Sequence, residues 1–353
     1  MGVKMRKLAS IQKIVSVGPI EGADRIELVH VLGWQCVAGK GDFKAGDLCV
    51  YFEVDSFLPI KPEYEILRAS SYRNNAFMGE GFKLRTMKFK GQISQGLVLK
   101  TALIPQLQGM ELTEGMDITD LLGIREWEMP EMASSVGTIK QGKPDFIHTT
   151  DEMRIQSEPN LLPAFAGLPY YITTKMDGSS RSVGFREADG LFYTTQSCTI
   201  MDDGKSDFVN YIKSKGIASY IRDYAIENRL KTLVVQGEWC GEGIQKNRLK
   251  LMSPEWFVFT VSIDGKRVSL EKMKEVCRVI GAKMVPVEET GDDLTQKYPT
   301  IDDLLERANG VGYNGTQREG IVIRPIQPVY SEILSSSLSM KVLNNKYLLK
   351  NED

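Results

Sequence analysis

The chain has 353 residues and a formal net charge of -2, with 42% hydrophobic and 25% charged residues. This length predicts two domains, and the composition is ordinary for a soluble globular protein. The near-neutral balance excludes a chain that is basic overall, so any nucleic-acid site has to be a local patch.

Cysteine and histidine usage excludes several kinds of site. The five cysteines are scattered and include no C-x-x-C pair. They predict reduced thiols in the cytoplasm or another reducing intracellular compartment, and they argue against a cysteine-ligated zinc. With only two histidines, a histidine metal site or a serine-histidine triad is not expected. We find no signal peptide and no stretch that approaches a membrane span.

Residues 6–100 predict a β-rich unit, because short runs of β-forming residues alternate with glycine turns. Such a unit is typical of a small closed barrel such as an OB-fold. Its alternating segment exposes basic side chains of the kind with which OB-folds bind oligonucleotides. Alternating lysines also keep sheet edges soluble, so both interpretations stand at this point. The predicted strands are 11–17, 26–37, 48–54, 82–90 and 93–99, and the exposed basic residues are Lys83, Arg85, Lys88 and Lys90.

The pattern changes after this unit. A helical turn is predicted within 112–124, whereas 129–135 and 140–144 are loop-like. From Asp151 onward strands and amphipathic helices are mixed, which indicates an α+β domain. We therefore predict an OB-type domain at 1–125, a linker at 126–150 and a second domain at 151–353.

Helix signals in the second domain are local. A helix is predicted over 208–230, with Ser206 as its N-cap and a break at Gly216. Two shorter helices are predicted at 270–280 and 301–308 from their periodicity and end signals. The predicted strands are 168–172, 182–185, 191–198, 233–235, 256–261 and 319–325.

The second domain is organised around Lys175-Met176-Asp177-Gly178. A lysine at a strand end followed by Asp-Gly suits a nucleophilic amine, because the strand holds the stem and the glycine allows close approach to a phosphate. The amine attacks phosphorus only as the free base, so we expect a lowered pKa for Lys175 from burial or nearby cations. A hairpin turn with a surface lysine has the same sequence, so the motif needs support from the rest of the chain.

Further chemistry-bearing residues follow in order. Glu238 comes after a buried strand, Glu319 opens another, and Lys341 stands near the end of the sequence. Carboxylates can hold a divalent metal or its waters, and lysines neutralise a triphosphate. A strand aromatic, Phe257 or Phe259, can stack on a purine. Each feature alone is typical of a turn or a core, but together and in this order they predict nucleotidyl transfer.

These motifs resemble those of the covalent nucleotidyltransferases, that is, the polynucleotide ligases and mRNA capping enzymes. Lys175-Met-Asp-Gly is similar to their nucleotidyl-lysine motif, and Gln-Gly-Glu238-Trp to the motif whose glutamate contacts the ribose or metal waters. The strand with Phe259 is similar to the purine-stacking motif. Glu319-Gly-Ile-Val-Ile-Arg resembles the metal-binding carboxylate motif, and Ser-Met-Lys341 resembles the closing motif, whose lysine contacts the α-phosphate.

Domain order narrows this resemblance. DNA ligases and capping enzymes carry an OB domain after the closing motif, whereas here the barrel-like domain comes first. That order is similar to the Naegleria-type RNA ligases, which have an N-terminal OB domain. Segments 18–24, 43–47, 154–156 and 243–248 resemble theirs as well. The implied fold is α+β, with an N-terminal OB-type β-barrel followed by an ATP-grasp-like nucleotidyltransferase domain of antiparallel sheets and helices.

The resemblance implies an ATP-dependent ligase that joins 3′-OH and 5′-phosphate RNA ends through a lysyl-AMP, in RNA repair or nick sealing. The expected partner is RNA, as a nicked duplex or as free ends, for a monomer without membrane association. Lys175 is the implied nucleophile, and the implied ligands of Mg²⁺ or Mn²⁺ are Asp177, Glu238 and Glu319. The implied ATP- or AMP-binding residues are Arg154, Thr174, Met176, Gly178, Glu238, Phe257, Phe259 and Lys341. The RNA-binding candidates are Lys83, Arg85, Lys88, Lys90, Arg248 and Lys346.

Two positions depart from the family pattern. The family usually has Ser-Arg on the strand after the nucleophile, but here Cys198 follows Ser197, and Arg181 is a candidate substitute. The closing motif often reads Lys-x-Lys, but here its first position is Ser339. One phosphate contact is therefore missing or comes from another lysine.

These departures support a second hypothesis, an OB-containing RNA-binding protein with a degenerate transferase domain. It predicts RNA affinity that survives Lys175→Ala and no consumption of ATP, and the intact Lys175, Glu238 and Glu319 oppose it. A third hypothesis is a DNA ligase or a capping enzyme that uses GTP. The absence of a trailing OB domain opposes both.

Overall fold

The computed structural model describes residues 6–128, 136–140, 142–148 and 151–351, which form two compact units. The N-terminal unit comprises 6–128, Arg154–Pro159 and 345–351, and the C-terminal unit comprises Asn160–Asn344 and the described part of 136–153. Of the predicted linker at 126–150, residues 129–135, 141, 149 and 150 lie outside the described residues.

The segment Arg154–Pro159 belongs to the N-terminal unit, whereas we predicted it in the second domain. The Gly33 N–H donates to the Gln156 carbonyl at 2.9 Å. The Arg154 guanidinium pairs with Asp55 and lies over the ring of Trp34. These contacts join residues far apart in the sequence, so no local pattern indicates them.

The N-terminal unit is built on a five-stranded antiparallel sheet in the order β10-β4-β1-β2-β3, whose edge strands β3 and β10 approach each other. A second sheet has the order β11-β5-β7-β6, and β8 and β9 form a hairpin. Apolar side chains such as Ile11, Phe52 and Phe82 fill the core. The strands are β1 (Ala9–Pro19), β2 (Ile26–Val31), β3 (Trp34–Gly39), β4 (Leu48–Phe52), β5 (Ser56–Leu58), β6 (Tyr72–Asn75), β7 (Gly79–Lys83), β8 (Met87–Phe89), β9 (Gln92–Ser94), β10 (Leu97–Lys100) and β11 (Arg125–Glu126).

The predicted strand at 82–90 is interrupted in the structure. β7 ends at Lys83, and β8 begins at Met87 as part of the separate hairpin. In between, the Leu84 N–H donates to the carbonyl of Ser56. The side-chain alternation changes phase at this break, because the two strands belong to different sheets.

The C-terminal unit contains two larger sheets. One has the strand order β12-β16-β15-β14-β17-β18-β19, with β20 paired to β18, and the other has the order β21-β13-β22-β25. The strands are β12 (Ile139–Lys140), β13 (Tyr170–Lys175), β14 (Ser179–Arg186), β15 (Gly190–Thr194), β16 (Thr199–Ile200), β17 (Thr232–Cys240), β18 (Glu255–Ile263), β19 (Lys266–Arg267), β20 (Lys283–Met284), β21 (Val287–Gly291), β22 (Gly320–Pro325), β23 (Tyr330–Ser331), β24 (Ser336–Ser337) and β25 (Met340–Leu343).

The helices end where the capping signals predict. Ser206 accepts a hydrogen bond from the Val209 N–H, and Gly216 separates two helices with a φ of 72°. Thr300 forms a capping box with Asp303. In the described residues the α-helices are α1 (Arg68–Ser71), α2 (Thr119–Leu122), α3 (Asp207–Ser214), α4 (Ile217–Glu227), α5 (Leu270–Ile280), α6 (Leu294–Lys297), α7 (Ile301–Ala308) and α8 (Asn345–Asn351).

The longer helices cover the large sheet of the C-terminal unit. α4 and α5 contribute Ile221, Ala225 and Val276 to a core shared with Val183 and Val235 of the sheet. Within the described part of the chain, no helix has the length and apolar character needed to cross a membrane.

Candidate active site

The segment Lys175-Met176-Asp177-Gly178 connects the two large sheets of the C-terminal unit. β13 ends at Lys175, and β14 continues the chain in the other sheet. The register places Lys175 opposite Gly320 on β22, and Ser180 opposite Glu238 on β17. This register brings two carboxylates from distant parts of the sequence to Lys175. They belong to Glu238 and to Glu319, which precedes Gly320.

Two glycines are required by close backbone approach at this junction. A Cβ atom on Gly178 would lie 2.4 Å from the carbonyl oxygen of Trp239 and 3.0 Å from the Glu238 side chain. A Cβ atom on Gly320 would lie 2.4 Å from the carbonyl oxygen of Val342. Larger residues at either position would therefore push the strands apart.

The Lys175 side chain is held by a carboxylate. Its Nζ donates to Glu319 Oε1 at 2.7 Å. Burial by itself lowers the pKa of Lys175, but the negative charges of Glu319 and Glu238 outweigh it and raise the pKa above the ordinary range. The prediction that the pKa of Lys175 is lowered is therefore wrong for the protein alone. The sequence motif did not reveal how many carboxylates surround the amine.

The carboxylates around Lys175 are electrostatically crowded. Burial raises the pKa of Glu238 to about 7, with Glu319 and Asp177 adding to the effect and Lys175 opposing it. Burial also raises the pKa of Glu319. Asp177 accepts a hydrogen bond from Arg248 at 2.9 Å. A cation bound beside these carboxylates would therefore stabilise their ionised forms.

A cavity of about 220 Å³ lies beside Lys175 in the C-terminal unit. Lys175 lies on its wall together with Phe259 of β18 and Lys341 of β25. Lys341 also pairs with Asp151. The remaining lining residues are Glu152, Thr173, Thr174, Met176, Gly178, Ser179, Ser180, Gln196, Glu238, Gln245, Val285, Val322 and Arg324.

A second charged group, which we call the arginine cluster, consists of Glu152, Arg267, Arg324 and Ser339. Arg324 donates to Glu152 through Nε at 3.1 Å and also through a terminal nitrogen, and Ser339 donates to the same carboxylate. Arg267 lies 3.7 Å from Glu152. Burial by itself raises the pKa of Glu152, but the two arginines outweigh it and hold the pKa below its usual range.

The carboxylates near Lys175 fit a divalent cation that is bound together with a phosphate ligand. Glu319 Oε2 is buried and has no hydrogen-bond partner among the described residues. The same part of the chain has no group of three histidine, cysteine or acidic side chains able to hold an ion by themselves. Magnesium commonly binds through one or two carboxylates plus phosphates and water. Glu238, Glu319 and Asp177 are of the required type.

The comparisons with known proteins cover both units. Family models described as an OB-fold domain and as RNA ligase match residues 8–101 and 168–343 respectively. The solved structure of the Naegleria gruberi RNA ligase with PPi is 30% identical, with a TM-score of 0.86, and the match covers 99% of this chain and 100% of that chain. The chain belongs to the RNA ligase family.

Further structures of the same Naegleria protein agree with this assignment. An apo mutant matches this RNA ligase at 30% identity and a TM-score of 0.87 over 100% of both chains. Another mutant, solved with ATP and Mn, matches at 30% identity and a TM-score of 0.85 over 99% of this chain and 100% of that chain. No curated protein sequence matches significantly. The predicted family and fold class are confirmed.

The structure brings most of the predicted nucleotide-binding residues of this RNA ligase to the cavity. Phe257, however, packs in the core with Tyr313, at 5.1 Å between ring centroids. Arg154 belongs to the N-terminal unit, where it pairs with Asp55. The predicted residues on the cavity wall are Thr174, Lys175, Met176, Gly178, Glu238, Phe259 and Lys341.

The RNA-binding candidates differ in exposure. Lys83 is only 5% exposed, and its ammonium lies over the ring of Trp127. Lys88 and Lys90 are exposed on the hairpin. Arg85 is half-buried, and Arg248 is half-buried with its guanidinium on Asp177. Lys346 is exposed on α8.

Sequence reasoning missed the arginine cluster. Arg324 stands in an apolar strand, and a charged residue in such a run is a signal of a buried ion pair. No comparable signal marks Glu152, because its partners come from three distant elements.

The structure shows a hydrogen-bond partner for Ser339, one of the two departures from the family pattern, because its hydroxyl donates to Glu152. Arg181 is fully buried on β14 and donates to the carbonyl of Ser180.

Proposed function

We propose that this RNA ligase uses ATP and a divalent cation to join RNA ends through a covalent AMP on Lys175. The observation that carries the proposal is the position of the Lys175 amine. It lies on the wall of a cavity shared with Phe259 and Lys341, hydrogen-bonded to Glu319. The solved structures of the related Naegleria ligase with ATP and Mn support the choice of nucleotide and metal.

The first step forms a bond between Lys175 Nζ and the α-phosphorus of ATP. The bond from that phosphorus to the bridging oxygen breaks, and pyrophosphate leaves with the electron pair. Lys175 has to give up a proton first, because an ammonium has no free electron pair. Glu319 keeps Nζ in place through their hydrogen bond. Phe259 stacks on the adenine, and Lys341 neutralises phosphate charge.

The raised pKa values of Glu238 and Glu319 favour a bound cation, because a positive charge beside them would stabilise their ionised form. A bound Mg²⁺ or Mn²⁺ supplies positive charge that offsets these carboxylates and the phosphate oxygens. Asp177, Glu238 and Glu319 are the residues that would hold it. With their charge offset, the main cause of the raised pKa of Lys175 is removed, so the amine releases its proton more readily.

The later steps use RNA. An oxygen of an RNA 5′-phosphate attacks the lysyl-AMP, the bond from phosphorus to Nζ breaks, and Lys175 regains a proton. The 3′-OH of the other end then attacks the activated phosphate, loses its proton, and expels AMP. The chain acts as a monomer, and its RNA contacts come from Lys88, Lys90, Arg248 and other basic side chains.

The decisive experiment is labelling with ATP that carries radioactive α-phosphate, in the presence of Mg²⁺ or Mn²⁺. Wild type, first treated with pyrophosphate to remove pre-bound AMP, should give an acid-stable labelled protein. Lys175→Ala should give none. Lys274→Ala is the matched control, because Lys274 is a partly exposed lysine on α5 that pairs with Glu271 and does not line the cavity, and it should label like wild type.

A labelled Lys175→Ala protein would show that another residue is the nucleophile. An unlabelled wild type that still binds RNA would instead support the RNA-binding hypothesis based on Ser339 and Cys198. Competition by unlabelled ATP and GTP tests nucleotide choice. Sealing of nicked RNA rather than nicked DNA tests the substrate.

A further inference from the structure

The segment 81–110 has an unusual charge for this chain. It contains five basic residues and no acidic residue, although the whole chain has a net charge of -2. Within this segment β8 and β9 form a two-stranded hairpin, whose tip we define as residues 88–92. All five residues of the tip are exposed. The tip is thus a local basic surface on the N-terminal unit.

The base of the hairpin is held firmly by β3. The Gln35 side chain donates to the carbonyl of Ile93 at 2.8 Å, and the Val37 N–H donates to Ser94 Oγ at 3.0 Å. The Gln95 N–H donates to the carbonyl of Gln35 at 2.8 Å. Because the base is anchored, the tip is presented in a defined orientation.

The turn at the tip contains a lysine in a conformation that lysine adopts rarely. Phe89 pairs with Gln92, which leaves Lys90 and Gly91 as a two-residue turn with φ values of 48° and 87°. A turn with two positive φ values favours Asn-Gly. Lysine there is strained, because its Cβ crowds the backbone. Asparagine would therefore fit the backbone at position 90 better than lysine does.

An aromatic ring accompanies the two lysines. Phe89 is 38% exposed, between Lys88 and Lys90. Alternating cations and an exposed ring are what single-stranded nucleic acid needs, because the cations contact phosphates and the ring stacks on a base. A solvated sheet edge would need the lysines but gains nothing from an exposed phenylalanine.

We infer that the hairpin tip is an RNA-binding surface, on which Lys88 and Lys90 contact phosphates and Phe89 stacks on an unpaired base. This inference rests on the proposed function, because it assumes that the substrate is RNA. It adds a contact for the unpaired part of the substrate, such as a free end. The tip takes part in RNA binding and not in the reaction of Lys175 with ATP.

The test measures the affinity of the full chain for a fluorescent single-stranded RNA by anisotropy, without ATP. Phe89→Ala should weaken binding about tenfold or more, because stacking on one aromatic ring contributes that much. Phe89→Trp should restore binding. Phe77→Ala is the matched control, because Phe77 is 58% exposed in the same unit but has no flanking lysines, and it should bind like wild type.

Lys90→Asn separates RNA binding from stability. Asparagine suits the turn better than lysine, so the melting temperature should stay the same or rise. RNA affinity should fall, and the dependence of log affinity on log salt should become shallower by about one contact. A loss of affinity caused by misfolding would lower the melting temperature instead.

Three results would overturn the inference. They are wild-type RNA affinity in Phe89→Ala, an equal loss of RNA affinity in Phe77→Ala, or an unchanged salt dependence of RNA affinity in Lys90→Asn.

Labelling with ATP on the same preparations distinguishes failure of this inference from failure of the proposed function. If wild type and Phe89→Ala both form lysyl-AMP and bind RNA equally, the inference alone is wrong. If wild type forms no lysyl-AMP, the proposed function is wrong.

Discussion

Glu152 and Glu238 line the same cavity, yet their pKa values are shifted in opposite directions. Burial raises the pKa of both side chains. At Glu152, Arg324 and Arg267 outweigh burial, and the pKa falls below its ordinary value. At Glu238, Glu319 and Asp177 add to burial and only partial compensation comes from cations, so the pKa rises to about 7.

The contrast separates a buried charge that the protein compensates by itself from one that it compensates only in part. In the arginine cluster the single carboxylate has positive partners and hydrogen bonds, so it is satisfied without a ligand. Around Lys175, burial keeps the pKa values of Glu238 and Glu319 raised despite neighbouring cations, so the ionised carboxylates are unfavourable for the protein alone. Perturbed groups of this kind are typical of functional sites, where stability is given up for ligand binding.

The largest effect on stability is expected when the arginine cluster is broken. Glu152→Ala leaves Arg324 and Arg267 buried without their counter-charge, which should lower the free energy of unfolding by about 3–5 kcal/mol. Urea denaturation at neutral pH measures the change as a shift of the midpoint. The matched control is Asp151→Ala, next in sequence, whose exposed carboxylate pairs with Lys341.

Asp151→Ala should lower the free energy of unfolding by less than Glu152→Ala does, because the Asp151 side chain is 46% exposed and its ion pair with Lys341 is partly solvated. Equal losses in the two variants would show that Glu152 is no more important to stability than a surface charge. The contrast between Glu152 and Glu238 would then disappear.

Glu238→Gln should have the opposite effect on stability. The Glu238 carboxyl titrates near 4.5 in the unfolded chain and near 7 in the folded one. Between these values the unfolded state binds fewer protons, so stability falls as the pH rises, and the loss is complete above pH 7. Glutamine removes this loss, so the variant should be more stable at pH 8 by on the order of 2–3 kcal/mol.

Below pH 4.5 the gain from Glu238→Gln should vanish, because Glu238 is then protonated in both states. Thermal unfolding at pH 4 and pH 8 checks this dependence. Lysyl-AMP formation by the same variant should fall on the order of 10²-fold, the usual loss when one stabilising group of an active site is removed. A variant that is less stable at pH 8 would contradict the proposed origin of the shifted pKa.

The smallest effect tests the hydroxyl of Ser339. Ser339→Ala removes a hydrogen bond to Glu152, which should lower the free energy of unfolding by about 1–2 kcal/mol at pH 7. The pKa of Glu152 should rise, because this hydrogen bond helps to lower it. A folded pKa below the ordinary 4.5 stabilises the protein above that pH, and this stabilisation is lost as the pH falls.

The difference in free energy of unfolding between wild type and Ser339→Ala should therefore become smaller as the pH falls. Urea titrations at pH 7 and at lower pH measure this difference. A difference that stays constant would mean that Ser339 acts through packing and not through the charge of Glu152. The departure from the family pattern at this position would then need another explanation.

Local signals predicted the helices well and the boundary between the units less fully. Ser206, Gly216, Thr300 and Gly281 mark helix ends because their side chains or backbone conformations satisfy groups within one turn. The segment Arg154–Pro159 carries no such signal for its place in the N-terminal unit. Its contacts with Asp55 and Gly33 depend on residues about a hundred positions away.

By itself the sequence determined the order of the motifs, the nucleophile candidate, the two-domain plan and the family, because short segments of sequence are enough to indicate each of them. Only the tertiary structure decided which charges meet. The ladder between β13 and β22 brings Glu319 to Lys175 across 144 positions. Burial and neighbouring charges then set the pKa of each group. A pKa depends on distances in space, and no motif contains those distances.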